Sequence, residues 1–217
     1  MLIKTLRQPA GVLAALALFL GGCASGPGAA SMASTASGSS GTEASAMAEQ
    51  GPAPASEAVP AVLAPRPFTA EQIAEHMPVG TWRRYLMEPA GEPGFEELST
   101  VLLCQGAGVT LESRAFELDG TARGEPQRMT ANWTDLRDHA TWPAAATVIR
   151  ETQLALPSGT FECLRYTVTT EALGVPVVSR FYFAKGRPGP PVRYEEVRDG
   201  VRVFRMTLVG FGRAGDS

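Results

Sequence analysis

Histidine is nearly absent from this sequence: His76 and His139 are the two copies in 217 residues. They fall in different predicted helices without HxxxH-type spacing, which removes the common helical zinc motif. A Ser-His-Asp set assembles in space, so spacing alone does not dismiss one. The G-x-S-x-G elbow that would advertise a hydrolase is missing, however. Cysteine is scarce as well. Cys23, Cys104 and Cys163 include no CxxC pair, which argues against redox catalysis and a zinc site. Charge of one sign is also lacking. With 19 basic and 22 acidic residues, the formal net charge is −3, and no basic excess marks a nucleic-acid surface. No apolar run reaches the roughly 20 residues that a helix needs to cross a hydrocarbon core. These absences predict a protein with no catalytic residues, no metal and no cofactor, and they place a hydrolase third among the functional readings.

What is present begins at the N-terminus. Lys4 and Arg7 precede an apolar run from Val12 to Leu20, and small residues follow. That is the layout of a secretory signal. The run ends Leu20-Gly21-Gly22-Cys23, which resembles the lipobox of bacterial lipoproteins. The resemblance implies that residues 1–22 are a signal peptide and that Cys23 is lipidated, with palmitate among the acyl chains. Two or three acyl chains anchor a protein firmly, whereas one is marginal. Ala24 follows the cysteine. In two-membrane bacteria of that family an aspartate there marks inner-membrane retention, so alanine favours the outer membrane, facing the periplasm.

Residues 23–64 are then read as the lipidated cysteine plus a linker. From Ala24 to Ala64 the chain is almost wholly Ala, Ser, Gly, Pro and Thr, with Glu43, Glu49 and Glu57 as the charges. Such a segment lacks the apolar side chains that offset ordering entropy and is predicted to be disordered. A flexible chain of this length has a root-mean-square extension of ~35 Å.

Residues 65–217 form the predicted domain. Thr69-Ala70-Glu71-Gln72 reads as a capping box opening a helix that stops before Pro78. Strands are predicted from Gly80 to Glu88, Phe95 to Cys104, Val109 to Leu118 and Pro126 to Thr130. A short helix is predicted over Thr134 to His139, before Pro143. Further strands run Val148 to Leu156, Thr160 to Thr170, Val175 to Ala184, Val192 to Val197 and Val201 to Phe211. Asp119-Gly120, Pro157-Ser158-Gly159 and Asp199-Gly200 are turn signals. Nine strands with short turns imply a mainly β fold: a strongly curved antiparallel sheet, or a partly open barrel, with one or two short helices. A sandwich is the alternative.

Pro157-Ser158-Gly159-Thr160-Phe161-Glu162-Cys163-Leu164-Arg165-Tyr166, then Phe181-Tyr182-Phe183-Ala184 and Gly189-Pro190-Pro191-Val192-Arg193-Tyr194-Glu195, resembles a pattern in uncharacterised envelope proteins. Those are similar to the curved-sheet carriers of the LolA and LolB type. The resemblance covers Pro157 to Leu208 and implies a fold, with no catalytic residue.

The remaining candidates are structural or apolar. A Cys104–Cys163 disulfide is open in an oxidising compartment. Against it, alternation groups Cys104 with Leu98 and Leu102, but Cys163 with Arg165 and Thr167. The carboxylate pairs Glu96-Glu97 and Glu195-Glu196 point to opposite faces. They are expected to pair across strands with arginines such as Arg83, Arg114, Arg165, Arg180 and Arg205. Trp82, Phe116, Leu164, Tyr166, Phe181, Phe183, Phe204 and Met206 are expected mainly as core. If the first helix fills the curved sheet incompletely, they would line an apolar groove. The leading expectation is a non-enzymatic, membrane-tethered envelope lipoprotein that binds a lipid or other hydrophobic ligand. The alternative is a structural or assembly protein with an envelope protein partner.

Overall fold

The computed structural model describes residues 62–215. The signal segment, Cys23 and all but the end of the linker lie outside the described residues. Within them the order is α1 (Ala70–His76), β1 (Thr81–Pro89), β2 (Phe95–Gln105), β3 (Gly108–Glu117), β4 (Gln127–Asn132), α2 (Trp133–Asp138), a 3-10 turn (Ala144–Ala146), β5 (Thr147–Leu156), β6 (Gly159–Ala172), β7 (Val175–Ala184), β8 (Arg193–Arg198) and β9 (Val201–Arg213).

All nine strands join one antiparallel sheet in the order β4-β3-β2-β1-β9-β8-β7-β6-β5. Two meanders therefore meet where the first strand pairs with the last, and the sheet stays open, with β4 and β5 as its edges. The curved-sheet expectation holds, and the sandwich does not. Turn chemistry closes the hairpins. In the β8–β9 turn Asp199 and Gly200 both take positive φ, +48° and +74°, as a two-residue primed turn demands. Strand ends depart from the expected ones by at most two residues, most at β4 and β6, and β7 matches at both ends.

α1 forms because its capping box closes as read: the Thr69 amide donates to Gln72 Oε1 at 2.9 Å, and the Gln72 amide donates to Thr69 Oγ1 at 3.2 Å. The helix buries Ala70 and Ile73. Together with Phe68 and Met77 they pack on Val101, Val109 and Leu111 from one meander and on Tyr166 and Phe183 from the other. The sheet is thus wrapped around α1. A second cluster joins Tyr85, Met87 and Phe95 to Tyr194, Met206 and Leu208 along the middle strands, and Phe161, Cys163 and Ala184 complete it. The β5–β6 turn folds back onto β9, where the Ser158 hydroxyl donates to the Leu208 carbonyl at 2.8 Å and Phe161 meets Phe211 edge-on.

Composition assigns Val62, Leu63 and Ala64 to the linker, and in the structure these three residues are paired with the α2–β5 connection. Leu63 bridges Pro143, the Ala64 amide donates to the Trp142 carbonyl, and the Ala144 amide donates to the Val62 carbonyl. Backbone pairing needs no large side chain, so composition does not register it.

Candidate functional site

α1 does not fill the concave face. Between the sheet, α1 and the α2–β5 connection lies a cavity of about 780 Å³, within the range of small-molecule sites. Phe68, Ile73 and Met77 line it from the α1 side, Val101, Leu111 and Met129 from β2 to β4, and Phe181, Phe183 and Met206 from the other meander. The segment after α2 covers it. Trp142 in that segment stacks on Phe181 at 4.6 Å between centroids and also contacts Tyr166 and Phe183. Asp138, on α2, is tied to Arg66 at 3.1 Å and to Arg137 at 2.7 Å.

A compact polar block interrupts the apolar lining. Arg83, Tyr85 and Met87 alternate inward on β1. Arg83 stands opposite Ser99 and Tyr85 opposite Glu97 on β2, and all four line the cavity. Arg83 and Glu97 are each 7% exposed and Tyr85 is 4% exposed. The Arg83 guanidinium donates to the carbonyls of Pro190 (2.9 Å) and Pro188 (3.1 Å), so it holds the β7–β8 loop. Gly189 between them has φ +131°, and a Cβ there would lie 2.9 Å from both Arg83 Nη2 and Met77 Sδ. Only glycine allows that approach. No carboxylate forms an ion pair with Arg83 among the described residues. Its charge instead lowers the pKa of Arg187, after burial the second cause there.

The Tyr85 hydroxyl has no hydrogen-bond partner. Burial raises its pKa, opposed by the charge of Arg83 and by the approach of that guanidinium as a donor to the hydroxyl oxygen, and reinforced by Glu97; the O–H itself has no acceptor. Burial also raises the Glu97 carboxyl above its ordinary range, opposed by a Ser113 hydroxyl hydrogen bond. His139 lines the cavity as well, and burial lowers its pKa against the pull of Asp135 and Asp138. His76 instead meets the Gln72 carbonyl at 3.0 Å through Nδ1. Among the described residues no three His, Cys, Asp or Glu side chains converge as a metal-binding group.

Of the eight apolar candidates, Phe181, Phe183 and Met206 line the cavity. Leu164 and Tyr166 pack in the cluster beneath, with the Tyr166 hydroxyl donating to the Pro65 carbonyl at 2.8 Å. Phe204 packs against Tyr194. Trp82 and Phe116 need correcting: each alternates with inward residues and lies on the outer face. The Trp82 ring covers Gly210 and Gly212, and Phe116 stands opposite Glu96.

The two cysteines stand apart as free thiols in the structure, in different clusters. Cys104 belongs with the α1 cluster, its thiol directed to the Met77 carbonyl at 3.7 Å. Cys163 sits in the other cluster, and burial raises its pKa to about 11. A register shift between Val101 and Leu103 also moves Cys104 out of phase with Leu98.

The carboxylate pairs do split between faces, but their arginine partners differ from those expected. Glu96 pairs with Arg84, Glu195 with Arg193 and Glu196 with Arg198. Residues i and i+2 of one strand share a face, which makes the last two local pairs. Arg114 joins Arg128 on Glu112, and Arg205 holds Glu88 across strands. The polar block of β1 and β2 was missed in the sequence. Its available signal was Arg83 in phase with Tyr85 and Met87.

No protein-family model matches this chain, and no curated protein matches it. Three solved structures are similar to it at low identity. One is a protein from Bacteroides fragilis described as exported, with a YmcC-like fold, at 11% identity and TM-score 0.42 over 63% of this chain and 97% of that one. Another is Pseudomonas aeruginosa MucB in complex with MucA, at 11% identity and TM-score 0.45 over 68% of this chain. A second structure of MucB with MucA gives the same identity and TM-score. The match spans 56% and 55% of those two chains.

Proposed function

We propose that this chain is a lipid-anchored protein of the bacterial cell envelope that binds a hydrophobic ligand and catalyses no reaction. The cavity carries the binding reading. A space of about 780 Å³ with Phe, Met, Leu, Ile and Val side chains along the sheet and α1, and a polar edge at Asp135, Arg137, Asp138 and His139, favours transfer of an apolar ligand from water at roughly 25 cal/mol per Å² of buried apolar surface. The anchoring reading rests on Leu20-Gly21-Gly22-Cys23 behind a signal-like run.

Two measurements test these parts separately. Radiolabelled palmitate is expected to enter the wild type and not Cys23→Ser; equal labelling of both overturns the anchor. The full chain produced without acylation is expected to bind the neutral apolar dye N-phenyl-1-naphthylamine with saturation and a fluorescence rise. Absence of saturable binding overturns the cavity reading.

A further inference from the structure

We propose that the Arg83–Tyr85–Glu97–Ser99 block is a head-group site, and that the cavity takes a single-chain amphiphile with a carboxylate head, a long-chain fatty acid, held head-inward against β1 and β2. The proposal rests on the cavity being a ligand site and adds the class and orientation of the ligand.

Two independent observations point to an occupant at this spot. The Tyr85 hydroxyl is buried and, with Arg165 Nε, is one of two buried side-chain polar atoms without a hydrogen-bond partner among the described residues, a state that native proteins rarely leave uncompensated. Beside it, Arg83 is a buried cation with no carboxylate partner among the described ion pairs. Two of its five N–H groups are used on carbonyls and the guanidinium also approaches the Tyr85 oxygen, which leaves further N–H groups as donors.

The chemistry of the block selects an acceptor. Arg83 offers only donors, and the unpartnered Tyr85 hydroxyl is free to donate. Cross-strand placement sets Glu97 beside Tyr85 and Ser99 beside Arg83, with side-chain origins about 5 Å apart in each pair. Burial raises the pKa of the Glu97 carboxyl beside them. A carboxylate head brings one negative charge for the one uncompensated guanidinium. A phosphate monoester brings nearly two for that single guanidinium, and is the poorer match. From this block the apolar wall formed by Met206, Phe181 and Phe183 receives the chain.

The test uses the full chain produced without acylation and N-phenyl-1-naphthylamine as reporter, displaced by laurate or by methyl laurate. The two competitors share a chain and differ in the head. A hydrogen bond to a charged group is worth enough for about tenfold in affinity or more. Laurate is therefore expected to displace the dye at about tenfold lower concentration than its ester. In Tyr85→Phe that preference is expected to shrink by about threefold or more, read as the ratio of laurate to ester displacement within each protein. Equal displacement by laurate and ester in the wild type overturns the head-group site without any variant, and leaves the cavity reading standing. A preference that survives Tyr85→Phe undiminished also overturns it. Failure of the wild type to bind dye, laurate and ester alike removes the cavity reading and this proposal together.

Discussion

Replacing Tyr85 by phenylalanine should make the empty protein more stable. The ring is 4% exposed and packs with Met87, Phe95 and Leu208; phenylalanine keeps those contacts. What is removed is a hydroxyl that has lost water and found no partner. An unsatisfied buried polar group costs about 1–3 kcal/mol, and the new void is no larger than one oxygen atom. Taking the lower end, a gain of about 1 kcal/mol raises the melting temperature of a domain this size by about 2–4 °C. Calorimetry of wild type and Tyr85→Phe, both stripped of hydrophobic ligand, measures this directly. A melting temperature lowered by more than about 2 °C would refute the reasoning, because it would show that the hydroxyl makes a hydrogen bond in solution. Stability gained together with head-group preference lost is the pattern of a binding residue kept at a folding cost.

Glu97→Gln should gain on the wild type as pH rises. The folded-state pKa of Glu97 is raised, so between the unfolded value near 4.3 and the folded one the native state holds a proton that the unfolded chain has released. Stability from this group therefore falls with rising pH across that window. Urea midpoints at pH 4 and pH 8 should show the variant's advantage growing, and a constant difference would contradict the shift. Gly212→Ala probes the outer face: its Cβ would lie 2.9 Å from the Trp82 ring. Overpacking of this kind costs about 1–3 kcal/mol, read as a lower urea midpoint with dye binding unchanged. An unaltered midpoint would show that the indole moves aside freely.

The strands were legible because their chemistry is local. Turn pairs such as Asp199-Gly200 and alternating runs such as Phe204, Met206 and Leu208 carry their own evidence, as does the Thr69–Gln72 box. Side-chain face was less legible where the ladder slips. The irregularity after Val101 changes the phase of Cys104, and nothing in Leu102-Leu103-Cys104 announces it. Trp82 looks like core by type, yet it lies outside because Arg83 takes the inward phase. An arginine, a tyrosine and a glutamate on neighbouring strands read as solvent-facing ion pairs until the register sets them together under a helix. The cavity is a property of how far α1 reaches across the sheet, which no local pattern encodes.

The first described residues of the chain are fastened to the cover of the cavity. Leu63 and Ala64 pair with residues 142–143, Arg66 grips Asp138 and Thr141, and the Pro65 carbonyl receives the Tyr166 hydroxyl. Tension applied to the chain from its N-terminal side enters the molecule through these bonds. Trp142 shares that load path and rests on Phe181, so mechanical strain on the leading segment is delivered together to the cover of the cavity and, through Tyr166, to the sheet.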